Sequence, residues 1–296
     1  MLDTLTTEPT AMSISKKTAL ITGCSDGGLG AAMVKVLLEK DYHVFATLRN
    51  TSKAQTLGGL SGVEILELDV SSKDSIARCA EKVRHRTSTL DLLINNAGSD
   101  FHMPLLDTDI ENAKIFFDVN FWSVLAVTQA FADPVVKARG VIVNCSSVLW
   151  NIHNPWTGIY TTAKAATKQI SETMRVEMEP LGVRVVTPII GGVATNFFIN
   201  ALNEPFHLPE NSYYKPIEKI LENQHGGGNV RLRQDVDVTA RNIMNDVLGG
   251  ASGCIWRGAR STEAKWLSWI LPPWALEWLA NRSRGLEELR QHYLNK

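Results

Sequence analysis

The sequence predicts an α/β protein whose single parallel sheet is doubly wound, with helices on both faces. Two observations carry this. From about residue 17 to 187, short β-rich runs alternate regularly with helix-period stretches. The first run breaks directly into a glycine-rich turn that opens a helix. Right-handed crossovers in such a sheet bring the carboxyl ends of the strands to one crevice, where ligands bind.

The elements follow in order. Thr18–Thr22 is a short apolar strand, and Leu29–Glu39 places apolar residues at helical spacing. His43–Leu48 is a second strand and residues 63–70 a third, with Ile65, Leu66 and Leu68. Ser71 or Ser72 is suited to cap a helix through Ile76 and Val83, because a serine oxygen accepts from free N–H groups of a first turn. Residues 90–95 and 140–145 are the fourth and fifth strands. Helical patterns cover about 113–132 and 158–179, and residues 183–190 form the next strand. No internal repeat or linker divides the chain. Gly226, Gly227 and Gly228 with Asn229 fall in an irregular segment, 196–236, and read as part of a loop.

Composition narrows the class. Hydrophobic residues make up 44% and charged residues 21% of 296, which is ordinary globular usage. A formal net charge of −1 gives no electrostatic reason to expect nucleic acid. Cys24, Cys79, Cys145 and Cys254 are widely spaced, without metal-ligand clustering, so no metal is expected and reduced thiols in an intracellular compartment are. Residues 1–15 read as a polar, mobile lead-in rather than a secretory signal. No apolar stretch reaches the ~20 residues of a spanning helix.

The chemistry starts at Thr22-Gly23-Cys24-Ser25-Asp26-Gly27-Gly28-Leu29-Gly30. Glycines let the backbone turn sharply and approach a pyrophosphate, whose charge is favoured at the helix N-terminus. A carboxylate at the end of the second strand would bind an NAD ribose and repel the extra phosphate of NADP. Here Ala46-Thr47-Leu48 is followed by Arg49, whose fork of donors pairs with phosphate. The cofactor expected is therefore NADP(H). Asp69, followed by Val70, ends the third strand and can accept from an adenine amino group. Asn95, Asn96, Ala97 and Gly98 end the fourth and offer another close backbone approach.

Tyr160 and Lys164, four apart at the start of a helix, share one face. A free tyrosine has a pKa near ~10, too high for efficient proton exchange around neutrality. A nearby ammonium is expected to lower it. Ser146 and Ser147 end the fifth strand upstream, and Asn120 lies in the preceding long helix.

With these pieces in strand–helix order, residues 16–260 resemble a short-chain dehydrogenase/reductase of the NADP-preferring group, on its Rossmann-type sheet. The resemblance implies Tyr160 as general acid/base, and Lys164 as holder of the nicotinamide ribose. It further implies that Ser147 hydrogen-bonds the substrate oxygen and that Asn120 supports a relay water; Ser146 is read as structural. Thr22, Gly23, Ser25, Gly28, Leu29, Gly30, Arg49, Asp69, Val70, Asn96, Ala97, Gly98, Val193 and Thr195 would join Tyr160 and Lys164 around the cofactor. The extra residue in the glycine motif is similar to fungal 1-acyldihydroxyacetone-phosphate reductases and their secondary-metabolism relatives. The Ala46–Arg49 stretch is similar to hydroxysteroid dehydrogenases. One departure is Ile190-Gly191, where the family usually has Pro-Gly. Family members commonly pair their two long helices into dimers or tetramers.

The implied reaction is NADPH-dependent reduction of a ketone on a lipophilic substrate, or its reverse. A non-redox isomerase or cyclase on the same scaffold, and a cofactor-sensing binding protein, are the alternatives. Residues 196–236 would form the substrate lid, with Trp150, Trp156, Phe197 and Phe206 as pocket walls; each of the four serves equally as core. His153 and His207 read as loop or surface histidines. Residues 261–296 form a further helical extension in which Trp266, Trp269, Trp274 and Trp278 precede Arg282, Arg284 and Arg290. That pairing suits an intracellular membrane interface, and equally a helix over the pocket or against a second subunit.

Overall fold

The computed structural model describes residues 14–197, 206–227 and 232–295. Its strands are β1 (Thr18–Thr22), β2 (His43–Leu48), β3 (Val63–Glu67), β4 (Leu92–Asn95), β5 (Val141–Asn144), β6 (Ser146–Ser147), β7 (Arg184–Ile190) and β8 (Gly253–Arg257). All pair in parallel, in the order β3-β2-β1-β4-β5-β7, with the two-residue β6 and the strand β8 also bonded to β7. The order reverses between β1 and β4. A crevice opens at such a point because the crossovers diverge to opposite faces.

The helices are α1 (Leu29–Glu39), α2 (Lys73–Arg86), α3 (Ile110–Phe117), α4 (Ser123–Ala138), α5 (Gly158–Met178), α6 (Glu218–Gln224), α7 (Val236–Leu248), α8 (Ser261–Ile270), α9 (Pro273–Asn281) and α10 (Leu286–Leu294). One apolar layer packs Met33, Val34 and Leu37 of α1 with Ile243, Met244 and Val247 of α7 against the sheet. The other packs Ile76 and Val83 of α2 with Val127, Phe131 and Val135 of α4. Strands buried between two such layers need side chains that are apolar on both faces, and β1 is buried at all five positions.

Boundaries of β1, α1 and β2 match the sequence reading, whereas β3 stops at Glu67 rather than residue 70. Past Glu67, Leu68 N still bonds Leu48 O, and the chain then turns into α2, whose N-cap is Ser72, its side chain accepting from Ser75 N. Neither β8 nor α7 is among the elements expected from the sequence. Segment 196–236, read as irregular, contains α6. A third cluster joins Phe206, Leu208, Ile217 and Leu221 to Trp156.

The run 110–138 is also helical throughout and, by length and composition, apolar enough to cross a membrane, contrary to expectation. Val127, Phe131 and Val135 of this run belong to the second core layer. That packing accounts for an apolar composition without a bilayer.

Candidate active site

The glycine turn is held by backbone rather than by its own helix. Gly23 N and Cys24 N both donate to Thr47 O of β2, at 2.9 and 3.0 Å. Gly23 has φ +76, and a Cβ there would lie 2.8 Å from Ala97 Cα; at Gly30 it would meet Gly23 O at 2.5 Å. Only glycine fits either position. Thr22 Oγ1 accepts from Asn96 N and Ala97 N, each at 3.0 Å, and Asn96 Nδ2 returns bonds to Thr22 O and Gly23 O. Thr22 and Gly30 thus brace the turn, while Gly23, Ser25, Gly28, Leu29, Asn96, Ala97 and Gly98 line a cavity of about 690 Å3. This cradle fits a pyrophosphate-bearing ligand, since a Cβ at these glycines would fill the space where the backbone must close.

Asp26 within the motif has a structural use that the sequence did not disclose. The Asp26 carboxylate accepts from Gln55 N, Thr56 N and Thr56 Oγ1, tying the loop after β2 to the glycine turn. Burial would raise its pKa, but those bonds outweigh it and hold the carboxyl below the usual range. Asn196 closes the turn from the other side, its Nδ2 donating to Asp26 O at 3.0 Å. Arg49 stands exposed after β2. Asp69 caps its own turn by accepting from Ser71 N and Ser71 Oγ, and Val70 is buried. None of these three lines the cavity, although all follow strand ends on its side of the sheet.

Ser147, Tyr160 and Lys164 line the opposite wall of the same cavity, with Val193 and Thr195 beyond β7. β6 positions Ser147, and Ser146 Oγ donates to Lys164 O at 2.9 Å, fixing α5 against the strand end. Lys164 Nζ lies 3.5 Å from Cys145 O and 5.8 Å from the centroid of the Tyr160 ring. Burial pushes the Tyr160 hydroxyl well above its ordinary range; a hydrogen bond with Ser147 offsets part of this, and the Asp100 carboxyl adds to it. The expected lowering by Lys164 therefore does not set the balance here, because burial of both groups outweighs attraction across that distance. Burial pushes the Lys164 ammonium down as well.

Asn120 sits on a π-helical turn, Asp118–Trp122, between α3 and α4. Such a turn skips one bond of the ladder and re-aims the groups beside it. The Asn120 amide donates to Ser99 Oγ and Phe116 O, its Oδ1 accepts from Ser99 N, and its carbonyl accepts from Thr167 Oγ1. It stands behind Gly98, where a Cβ would be 2.9 Å from Asn120 Oδ1 and 3.6 Å from Lys164 Nζ. At Ile190-Gly191 the retained glycine is required, since a Cβ at Gly191 would fall 2.1 Å from Ala259 O, while Ile190, which stands for the family's proline, lines the cavity.

Of the proposed substrate walls, Phe197 lines the cavity and Trp150, Trp156 and Phe206 do not. Trp156 is buried in the third cluster and donates its indole N–H to Arg284 O at 2.9 Å. Phe206 packs edge-on to His102, and Trp150 lies under Lys168 Nζ at 4.6 Å. Trp156 and Phe206 thus back residues of the wall, Arg284 and His102. Polar residues not singled out for the site also line it, among them Asp100, His102, Gln224 and Arg284. Arg284 comes from the C-terminal extension, which with Ala280 and Ser283 is part of the cavity wall.

Comparison with known proteins now decides the family. The family model described as short chain dehydrogenase matches residues 17–204. The chain belongs to the short-chain dehydrogenase family. It is 44% identical over 274 residues to the short-chain dehydrogenase cctT of Talaromyces islandicus, covering 92% of this chain and 97% of that one. It is 37% identical over 215 residues to the NADPH-dependent 1-acyldihydroxyacetone phosphate reductase of Schizosaccharomyces pombe, covering 71% and 72%. A short chain dehydrogenase from Burkholderia cenocepacia, solved in complex with NADP, superposes with a TM-score of 0.70 at 25% identity, over 91% of this chain and 99% of that one.

Proposed function

We propose that this oxidoreductase reduces a ketone on a lipophilic substrate to a secondary alcohol, with NADPH as reductant and Tyr160 as proton donor. The observation that carries the reading is the convergence of Ser147, Tyr160 and Lys164 on a cavity whose other end is the glycine cradle. NADPH would lie along Gly23–Leu29 and Asn96–Gly98, with Val193 and Thr195 beside its reactive ring, and would supply hydride. The names and ligands of the relatives above support NADP(H), and Arg49 supports the phosphate-bearing form.

The residues divide the work. Ser147 donates to the carbonyl oxygen and Tyr160 gives that oxygen its proton. Burial keeps the phenol protonated, the state a reduction consumes. Lys164 holds the ribose, and Asn120, behind Gly98, supports the route by which the proton is replaced. Phe197 and Leu232 give the substrate end apolar walls.

Two associations accompany this reading. Trp269 is 80% and Trp274 72% exposed on α8 and α9, which supports contact with a membrane surface. Ile115, Trp122 and Val176 are exposed along the two long helices, which supports pairing with a second copy. All four cysteines are free thiols, in keeping with a reducing intracellular compartment.

The test follows NADPH and NADH consumption with acyl-dihydroxyacetone phosphate, steroid and aromatic polyketide ketones, wild type beside Tyr160→Phe. The expected result is turnover with NADPH that falls about 10²- to 10⁴-fold in the variant while NADPH still binds. Undiminished turnover in Tyr160→Phe would refute the assignment.

A further inference from the structure

The cavity continues past the reacting groups along a polar wall. The Asp100 charge acts on Tyr160, and His225 lies within electrostatic reach of both Asp100 and His102. Arg284 in turn acts on His102. Asp100 thus stands at the reacting end and Arg284 at the far end, with His102 between them.

Arg284 is held in place by its backbone. It lies in the turn joining α9 to α10, where Trp156 Nε1 donates to Arg284 O at 2.9 Å and Gln224 Nε2 donates to Ser283 O at 3.1 Å. Asn281 Nδ2, one turn earlier, donates to His153 O at 3.0 Å. The side chain is far less occupied. Its guanidinium makes one long bond, Nη1 to Gln224 Oε1 at 3.4 Å, and no carboxylate lies within ion-pair distance among the described residues. His102, 8% exposed in the same wall, keeps a buried Nε2 without a hydrogen-bond partner. A half-buried guanidinium without a counter-charge is costly, and so is an unpaired ring nitrogen. Asp100, the wall's own acid, acts on Tyr160 at the other end and makes no ion pair with Arg284.

We infer that the Arg284 end of the cavity, with Gln224 and His102, is a recognition subsite for an anionic group on the substrate, a carboxylate or a phosphate. The inference rests on the cavity being the substrate pocket. A guanidinium presents paired donors that match either oxyanion, and the bond replaces the weak contact to Gln224. The cation that gives specificity for a ketone carrying an acid at its distal end, Arg284, therefore comes from the C-terminal extension, outside the residues matched by the family model.

The experiment uses full-length enzyme loaded with NADPH and two matched probe pairs. One pair is 4-benzoylbutyrate and its methyl ester; the other is palmitoyl-dihydroxyacetone phosphate and its dephosphorylated form. Binding is read by calorimetry and reduction by KM and kcat, for wild type, Arg284→Gln and Arg284→Lys. The expected result is that wild type prefers the ionised member of at least one pair by about tenfold or more. Arg284→Gln then raises KM for that member by about 10- to 100-fold, with kcat and the neutral probe unchanged, and Arg284→Lys recovers part. The preferred pair tells carboxylate from phosphate. Wild type that prefers neither ionised probe overturns the inference without recourse to a variant. So does an Arg284→Gln that retains the preference or weakens both members of a pair alike. Loss of NADPH binding, or preference in binding without reduction, counts instead against the reductase reading.

Discussion

His102 shows how one residue can record its surroundings. Burial is the main cause that holds its pKa down to about 3, with His225 and Arg284 adding to it. In the unfolded chain the same ring titrates near 6.5. A depressed folded value means that stability is fully present above pH 6.5 and is lost as the pH falls towards 3. The slope approaches ~1.4 kcal/mol per pH unit within that window. His102→Phe, which preserves the edge-on contact with Phe206, should flatten this part of the stability curve, read as denaturation midpoint between pH 7 and pH 4. Equal curves for the two proteins would show that the ring carries no such penalty. Arg49 supports a second expectation at this scale. Arg49→Glu should raise KM for NADPH about 10- to 100-fold and leave KM for NADH nearly unchanged. The reacting residues were legible in the sequence because Tyr160 and Lys164 share one helical turn and Ser147 ends a strand. Arg284 and His102 were not, since no local pattern brings the turn after α9 to the end of β4.

Among the elements, β1, α1 and β2 could be drawn to the residue because a buried apolar strand and an amphipathic helix have different periods. β8 escaped notice: Gly253-Cys254-Ile255-Trp256-Arg257 is short and charged at its end, and only pairing with β7 makes it a strand. The π-helical turn was also invisible, because the hydrophobic pattern continues through it. The loop after β2 supplies the testable case. Beside one backbone bond, Asp26 N to Lys53 O at 2.7 Å, its attachment to the glycine turn runs through the Asp26 carboxylate, which accepts three bonds from Gln55 and Thr56. Asp26→Ala should cost about 1–2 kcal/mol of stability and raise KM for NADPH several-fold, with kcat little altered. Asp26→Asn should recover part of both. If Asp26→Ala changed kcat alone, the loop would not be what orders the cradle.

For the whole molecule, the extension beyond β8 has two faces. Inwardly, Ala280, Ser283 and Arg284 complete the cavity. Outwardly, Trp269, Ile270 and Trp274 are 80%, 73% and 72% exposed, while Lys265 and Arg282 lie over the Trp266 and Trp278 rings. An exposed apolar face rimmed by cations matches the boundary of an anionic bilayer, where indoles enter the headgroup layer and the cations stay at its surface. One segment would then set both the acid-recognising end of the pocket and its approach to lipid. Each large apolar side chain taken out of water contributes about 1.5 kcal/mol, so replacing Trp269 and Trp274 by serine should lower partitioning about a hundredfold. The measurement is co-flotation with phosphatidylcholine–phosphatidylserine vesicles, full-length protein against the double variant, with turnover of a soluble ketone as control. Point substitutions are preferable to truncation after Ala264, which would also remove Arg284 and confound lipid binding with loss of the pocket wall. Equal flotation of the two proteins, or none by either, would leave the tryptophan face to a second copy of the chain. A concentration-dependent sedimentation coefficient in the wild type, absent from the double variant, would identify that case.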